Sequence, residues 1–325
     1  MVVGVMSGFL SNTGTAAVLI PVVIGVAAKS GFTRSRLLMP LVFAAALGGN
    51  LSLIGAPGNL IAQSALQNIG SGFGFFEYAK VGLPMLVCGI LYFLTIGYKF
   101  LPNNSNSSEV GSIGEQRDYS HVPRWKQILS LVVLIATILG MIFEKQTGIS
   151  LTVAGCIGAL VLVITGVLTE KQAYKAIDSQ TIFIFGGTLA LAKALEMTGA
   201  GKLVADQVIG LLGNNSSPFM LLVVVFALSV VMTNFMSNTA TVALLVPVSL
   251  SIAAGMGADP RAVLMATVIG SSCAYATPIG MPANMMVLSA GGYKFVDYAK
   301  SGIPLIIVST IVSLILLPIL FPFHP

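Results

Sequence analysis

The chain alternates apolar runs with short polar or glycine-proline breaks, and the length of each run predicts an element. Residues 1–10 are apolar but too short to span a bilayer, and they stop at Ser11-Asn12-Thr13. A run from Ala16 to Ala28 closes at Lys29-Ser30-Gly31. The next, Leu37 to Ile54, is interrupted at Gly55-Ala56-Pro57-Gly58-Asn59 and resumes as far as Ile69. Val81–Phe100 predicts a complete span, and the polar, Ser/Asn-rich stretch 101–124 a cytoplasmic linker. Beyond it, Trp125–Phe143, Ile149–Leu168 and Thr181–Met197 predict scaffold spans within 125–200, and the less hydrophobic 201–213 an interfacial helix. Phe219–Met236 leads to Ser237-Asn238-Thr239 and on through Thr241–Ala254, a hairpin over 218–254. A broken helix over 262–290 follows, interrupted at Gly280-Met281-Pro282-Ala283-Asn284, and then a final span over 303–320.

The second half repeats the first in three blocks. SNTGTAAVLIPVVIGVA from Ser11 matches SNTATVALLVPVSLSIA from Ser237. GAPGNLIAQSA from Gly55 matches GMPANMMVLSA from Gly280, and YAKVGLP from Tyr78 matches YAKSGIP from Tyr298. Apolar bias alone would align leucines with valines. It would not align Ser-Asn-Thr, Gly-x-Pro-x-Asn and Tyr-Ala-Lys in one order at nearly constant spacing. The organisation read from this is 1–100 as the remainder of a first repeat, 101–124 as linker and 125–325 as a second repeat. Only ten residues precede the first Ser-Asn-Thr, whereas three spans and a hairpin arm precede the second. The chain is therefore expected to be an N-terminally truncated form.

Composition identifies the solvent of these runs. Hydrophobic residues make up 56% and charged residues 8%, against about 25% charged in soluble domains, and the mean hydropathy is +0.95. So few charges cannot cover a water-soluble fold of this size. In lipid only helices or closed barrels satisfy the backbone, and the runs lack the alternation of barrel strands. An all-α polytopic membrane protein is expected. The net charge of +5 is no nucleic-acid signature, because the basic residues are scattered singly between apolar runs. Cys88, Cys156 and Cys273 sit singly in apolar runs, and neither His121 nor His324 has ligand-like neighbours, so no disulfide framework or histidine-cysteine metal site is expected. The first residues lack the basic region and cleavage site of a secretory signal.

The basic residues also orient the chain. With the loop 29–36 in the cytoplasm and each Ser-Asn-Thr element treated as a re-entrant hairpin, Lys29, Arg34, Arg36, Lys99, Arg117, Arg124, Lys126, Lys171, Lys175, Lys294 and Lys300 fall inside. Lys80, Lys145, Lys202 and Arg261 fall outside. The second hairpin then enters from the face opposite to the first, so the repeats are expected to be inverted around a site near the midplane.

A Ser-Asn-Thr tip between helices offers hydroxyl and amide dipoles and helix-end groups without formal charge. N–H groups and the positive end of the following helix face an anion, while carbonyl and hydroxyl oxygens face a small hard cation. Gly-x-Pro-x-Asn acts similarly, since Pro frees a carbonyl and Gly permits close backbone approach. Ser7 lies four residues before Ser11, and Thr233 four before Ser237. At one helical turn both hydroxyls of a pair can point at one cation. Single Ser or Thr residues in membrane helices commonly bond back to the backbone; the symmetric placement beside each tip favours function. Neither tip nor break contains Arg or Lys, so a dianion there requires co-bound cations to offset its desolvation. Lys193 and Glu196, within one apolar run, are read as a mutual structural pair rather than a proton relay.

These motifs resemble those of the divalent anion/sodium symporter family over essentially the whole chain from the first tip onward. The resemblance implies an inverted-repeat, elevator-type transporter with two re-entrant helical hairpins and two broken transmembrane helices, resident in the cytoplasmic (plasma) membrane. It implies sodium-coupled symport of a small divalent anion of the succinate, malate or citrate class. Sulfate or another inorganic anion, or proton coupling, are the alternatives within the superfamily. One Na+ is implied at Ser7, Ser11, Asn12 and Gly55, and a second at Thr233, the Met236 carbonyl, Asn238 and Gly280. The substrate is implied at Asn12, Thr13, Asn238 and Thr239, with Pro282 nearby. No organic cofactor is implied, and full-length members pair as homodimers through scaffold helices. The family often has Ser or Thr just after the break glycine, where this chain has Ala56 and Met281.

Two other classes are weighed against this one. A channel would show no strict ion stoichiometry, and paired broken helices argue against it. A membrane enzyme would need a nucleophile, a metal set or a carboxylate pair, and the intramembrane residues supply none.

Overall fold

In the computed structural model the described residues are 1–103, 122–177, 179–200 and 218–322, with isolated positions 203, 206, 207 and 210. Among them every regular element is helical. The helices are α1 Val2–Ser7, α2 Asn12–Ser30, α3 Arg34–Gly48, α4 Pro57–Gln67, α5 Ala79–Thr95, α6 Arg124–Ile142, α7 Glu144–Thr147, α8 Leu151–Ile164, α9 Glu170–Ala176, α10 Ser179–Thr198, α11 Pro218–Thr233, α12 Asn238–Met256, α13 Pro260–Ser271, α14 Pro282–Ala290 and α15 Phe295–Leu320. The predicted interfacial helix at 201–213, most of the linker and the side chains of Lys193 and Glu196 lie outside the described residues.

The chain forms two compact units, one within Met1–Gly114 and Phe183–Pro325, the other within Glu115–Ile182. In the smaller unit α6 packs on α8, and the approach is close enough that a Cβ on Gly158 would run into the Thr137 hydroxyl. Ser150 caps α8, and Thr169 with Gln172 forms a capping box on α9. Lys126 Nζ donates to Gly166 O at 2.6 Å, next to the left-handed Gly166 that ends the segment. That turn stops α8 at Ile164, short of the predicted Leu168. No residue of α6 is buried within the chain; Ile128, Leu131, Val132, Ile135 and Leu139 all face outward.

In the larger unit the two halves pack alike and then interlock. Helices α1 and α2 both pack on α3, as α11 and α12 both pack on α13. The short helices after the breaks cross over: α4 lies against α12 and α13, and α14 against α2 and α3. Helices α5 and α15, which follow them, pack on each other. Fully buried apolar side chains fill the centre, among them Leu38, Val42, Phe43 and Ala46 of α3 and Leu264, Met265 and Ile269 of α13. Phe43 meets Tyr275 and Tyr298 at ring separations of 5.4 and 6.4 Å.

Two features differ from the sequence expectation. The tip serines cap the long hairpin arms, so these arms start at the tip itself, and α2 and α12 each run to 19 residues. With Arg124–Ile142 and Phe295–Leu320 they are the described helices long and apolar enough to cross a membrane. The second is the onset of the breaks. Helix α3 already ends at Gly48 and α13 at Ser271, so the unwound stretches precede Gly-x-Pro-x-Asn rather than coincide with it. Pro57 and Pro282 instead occupy the first turn of the next helix, where a missing N–H costs nothing.

Candidate functional site: two duplicated clefts

Each cleft is assembled from a tip, an unwound stretch and a helix start, and the same bonds recur in both halves. Ser7 Oγ, fully buried at the end of α1, donates toward Asn12 Oδ1 at 2.8 Å and Ala45 O at 2.7 Å. Thr233 Oγ1, fully buried at the end of α11, stands 2.9 Å from Asn238 Oδ1 and 2.5 Å from Ser271 O. A hydroxyl has one proton. In each cleft three oxygens thus converge on a single proton, which leaves lone pairs in excess.

The expected pairing of hydroxyls one turn apart is not what the chain does. Helix α1 stops at Ser7 and α11 at Thr233, so neither pair shares a continuous helix. Ser11 Oγ and Ser237 Oγ accept the N–H of Gly14 and Ala240 at 3.1 and 3.2 Å and act as N-caps. The partner of the buried hydroxyl is the tip asparagine instead.

In both halves hydrogen bonds join the Gly-x-Pro-x-Asn and Tyr-Ala-Lys blocks to the unwound stretch and to the residue at the end of the helix before the tip. Asn59 Nδ2 donates to Gly49 O and Ser52 O (3.0 and 2.8 Å), and Asn284 Nδ2 to Ala274 O and Thr277 O (2.9 and 3.0 Å). These bonds stitch the unwound carbonyls that α3 and α13 leave behind. The Ser52 hydroxyl reaches Gly8 O, and Thr277 Oγ1 reaches Asn234 O at 2.5 Å, fastening break to hairpin. Tyr78 OH then donates to Asn59 O and Tyr298 OH to Asn284 O, at 3.3 and 2.7 Å. Gly82 and Gly302, four residues on, lie so close to Asn50 O and Tyr275 O that any Cβ would collide with backbone.

The candidate residues fall in these clefts with different access. Asn12 is buried and Asn238 half-buried; Thr13 and Thr239 are half-buried in the first turns of α2 and α12, and Pro282 is exposed at the start of α14. Gly55 and Gly280 are buried; a Cβ would stand 2.5 Å from Gly49 O at the first and 2.5 Å from Thr233 O at the second. Gly280 O accepts the Asn238 N–H at 3.3 Å, and Met236, half-buried, closes its turn on Met232 O at 3.0 Å. Thr15 and Thr241, four residues past the tip serines, are fully buried with hydroxyls that meet no partner. Residues 7–15, 45–59, 233–241 and 271–284 contain no Asp, Glu, Lys, Arg or His. A donor set of neutral hydroxyl, amide and peptide oxygens around glycine cradles fits a small hard cation. The start of a 19-residue helix at each tip fits an anion.

Ser52, Thr277 and Asn234 were not singled out by motif. Extending the alignment outward from the Gly-x-Pro-x-Asn block would have paired Ser52 with Thr277. Asn234 has no such signal, because Gly8 stands opposite it.

Similarity to other proteins follows the same span of chain. A sequence family described as Citrate transporter matches residues 1–270 and, in an overlapping match, 138–324. An uncharacterized transporter of Methanocaldococcus jannaschii is 31% identical over 94% of this chain and 69% of its own length. One of Haemophilus influenzae is 28% identical over 96% and 69%. A sodium-dependent dicarboxylate transporter of Staphylococcus aureus is 24% identical over 98% and 67%. With its span-length helices, this makes the chain an integral protein of the plasma membrane, a transporter and not an enzyme, whose cargo is of the carboxylate or anion type. Both clefts lie within the stretches matched, and the chain belongs to the citrate transporter family, among the divalent anion/sodium symporters.

Proposed function

We infer that the protein performs sodium-coupled secondary active transport of a small divalent anion, a di- or tricarboxylate of the succinate, malate or citrate class. The observation that carries this reading is the pair of three-oxygen clusters, Ser7–Asn12–Ala45 and Thr233–Asn238–Ser271, each sharing one hydroxyl proton at the start of a long helix. Lone pairs in excess suit Na+. The helix starts with Asn12, Thr13, Asn238 and Thr239 suit carboxylate oxygens. With no basic side chain in either cleft, the dianion depends on the cations beside it for charge balance. Coupling is then a condition of binding.

The reading includes two re-entrant hairpins and two broken helices in inverted repeats, working by an elevator motion in an assembly of two copies. Contacts between the halves support the inversion. Arg261 Nη2 meets Glu77 Oε1 at 2.5 Å; Arg261 and Lys80, which pairs with the same carboxylate, both belong to the outer face by the charge count. Tyr293 OH donates to Ser35 O at 2.6 Å and Ser301 Oγ to Phe100 O at 2.8 Å, among residues assigned to the inner face. Ser35 and Arg261, equivalent in the repeat, thus sit with partners of opposite sides. Methyl and thioether groups at Ala56 and Met281, where a hydroxyl would serve a carboxylate, favour sulfate or another inorganic dianion as a second reading.

The test is uptake of labelled succinate and sulfate into proteoliposomes with and without an inward sodium gradient, and with a proton gradient in its place. Sodium-driven uptake is expected. Asn12→Ala and Asn238→Ala are each expected to abolish it while leaving membrane insertion intact. Wild-type transport in both variants would reject the site assignment.

A further inference from the structure

The two tip asparagines are not equally exposed, and Met281 lies against the more buried one together with the backbone at Gly49. Met281 lies within the second break, just after Gly280, at 1% exposure, and its Sδ stands 3.6 Å from Asn12 Nδ2 of the other half. Its thioether therefore covers the first tip's amide. Asn12 retains 8% exposure, whereas Asn238, its equivalent, is half-buried. The residue equivalent to Met281 is Ala56, whose methyl is too short to reach across in the same way. Asn238 thus keeps partial exposure, whereas the Asn12 amide sits behind three rotatable bonds of packed, apolar side chain.

We propose that Met281 is a specificity-determining residue that sizes the site for short dianions and disfavours tricarboxylates. The inference rests on the anion-binding role assigned above to Asn12 and Asn238. A first anionic group settles at the open Asn238–Thr239 tip. A second group reaches Asn12 only in the space the thioether leaves, and a third carboxylate has to displace it. Size discrimination by one buried apolar group amounts to about 10- to 200-fold per methylene-scale change.

The experiment is a binding comparison on the purified chain in detergent, at saturating sodium, reading thermal stabilisation by succinate and by citrate. Wild type is expected to bind succinate at least about tenfold more tightly than citrate. Met281→Ala is expected to close that gap by about tenfold or more, Met281→Leu to keep it because the bulk is conserved, and Ala56→Met to widen it. A ratio that Met281→Ala leaves unchanged, or a wild type that prefers citrate, overturns the inference while the carrier reading stands. If neither anion stabilises wild type and sodium has no effect, the reading beneath it fails as well. The ratio between two anions separates specificity from a merely structural role, which would move both affinities together.

Discussion

The two halves of the larger unit share a backbone plan and differ in how tightly their hairpins are sewn to it. Gly8, before the first tip, has no side chain and meets the unwound stretch through its carbonyl, which accepts the Ser52 hydroxyl. Asn234, its counterpart, adds Nδ2 bonds to Val230 O (2.7 Å) and Cys273 O (3.2 Å), and its Oδ1 accepts the Ala276 N–H at 2.9 Å. The helix entries differ too. Ser35 meets a tyrosine through its backbone, whereas Arg261 lies over Phe73 at 5.6 Å and pairs with Glu77. What recurs in both halves shapes the clefts. What differs fastens the second hairpin to its unwound stretch through more side-chain bonds than the first.

The comparison breaks most severely at its shared elements. Gly302→Ala and Gly82→Ala both place a methyl into a backbone carbonyl, and the gain in helix propensity of about 1 kcal/mol cannot offset that overlap. Both variants are expected to lose folded yield, as scored by size-exclusion profile after solubilisation. Asn59→Ala and Asn284→Ala each strip two buried carbonyls of their donor. A loss of about 2–4 kcal/mol is expected in either half, read as lowered thermal stability. Equal losses sharpen the symmetry; a loss confined to one half would break it.

Smaller effects address the asymmetry. Asn234→Ala should cost about 1–3 kcal/mol and should raise proteolytic access at the second tip above that of the unaltered chain. If access at the second tip stays unchanged, Asn234 is not what holds it. Glu77→Gln should cost no more than about 1 kcal/mol, since the Arg261 side chain is 33% exposed, and the cost should shrink with added salt. A salt-independent loss would assign the junction to packing of Arg261 on Phe73 instead.

The all-helical fold and the repeated tips were legible in the sequence because they depend on composition and on short motifs aligned within the chain. The bonds that form the clefts were not. Ser7 reaches Ala45 and Thr233 reaches Ser271 across 38 positions in each half, and no local spacing encodes such a contact. Reading Ser7 with Ser11 as one helical turn presumed a continuous helix, yet serine before a helix competes for its first N–H groups, and Ser11 took that role. The breaks were misplaced for a related reason. Gly-x-Pro-x-Asn looks like an interruption, but Pro57 begins a helix, and Asn59 reaches back to hold what has already unwound. Asn234 was hidden because a motif search rewards sameness and this residue acts through being different.

Tyr298 and Gly302 have a mechanical consequence. The phenol grips the start of α14 and the glycine seats α15 directly on the Tyr275 backbone, as Tyr78 and Gly82 do for α5. Shifting either long helix would drag the cleft floor with it, because the rivets between them are buried and have no water to fall back on.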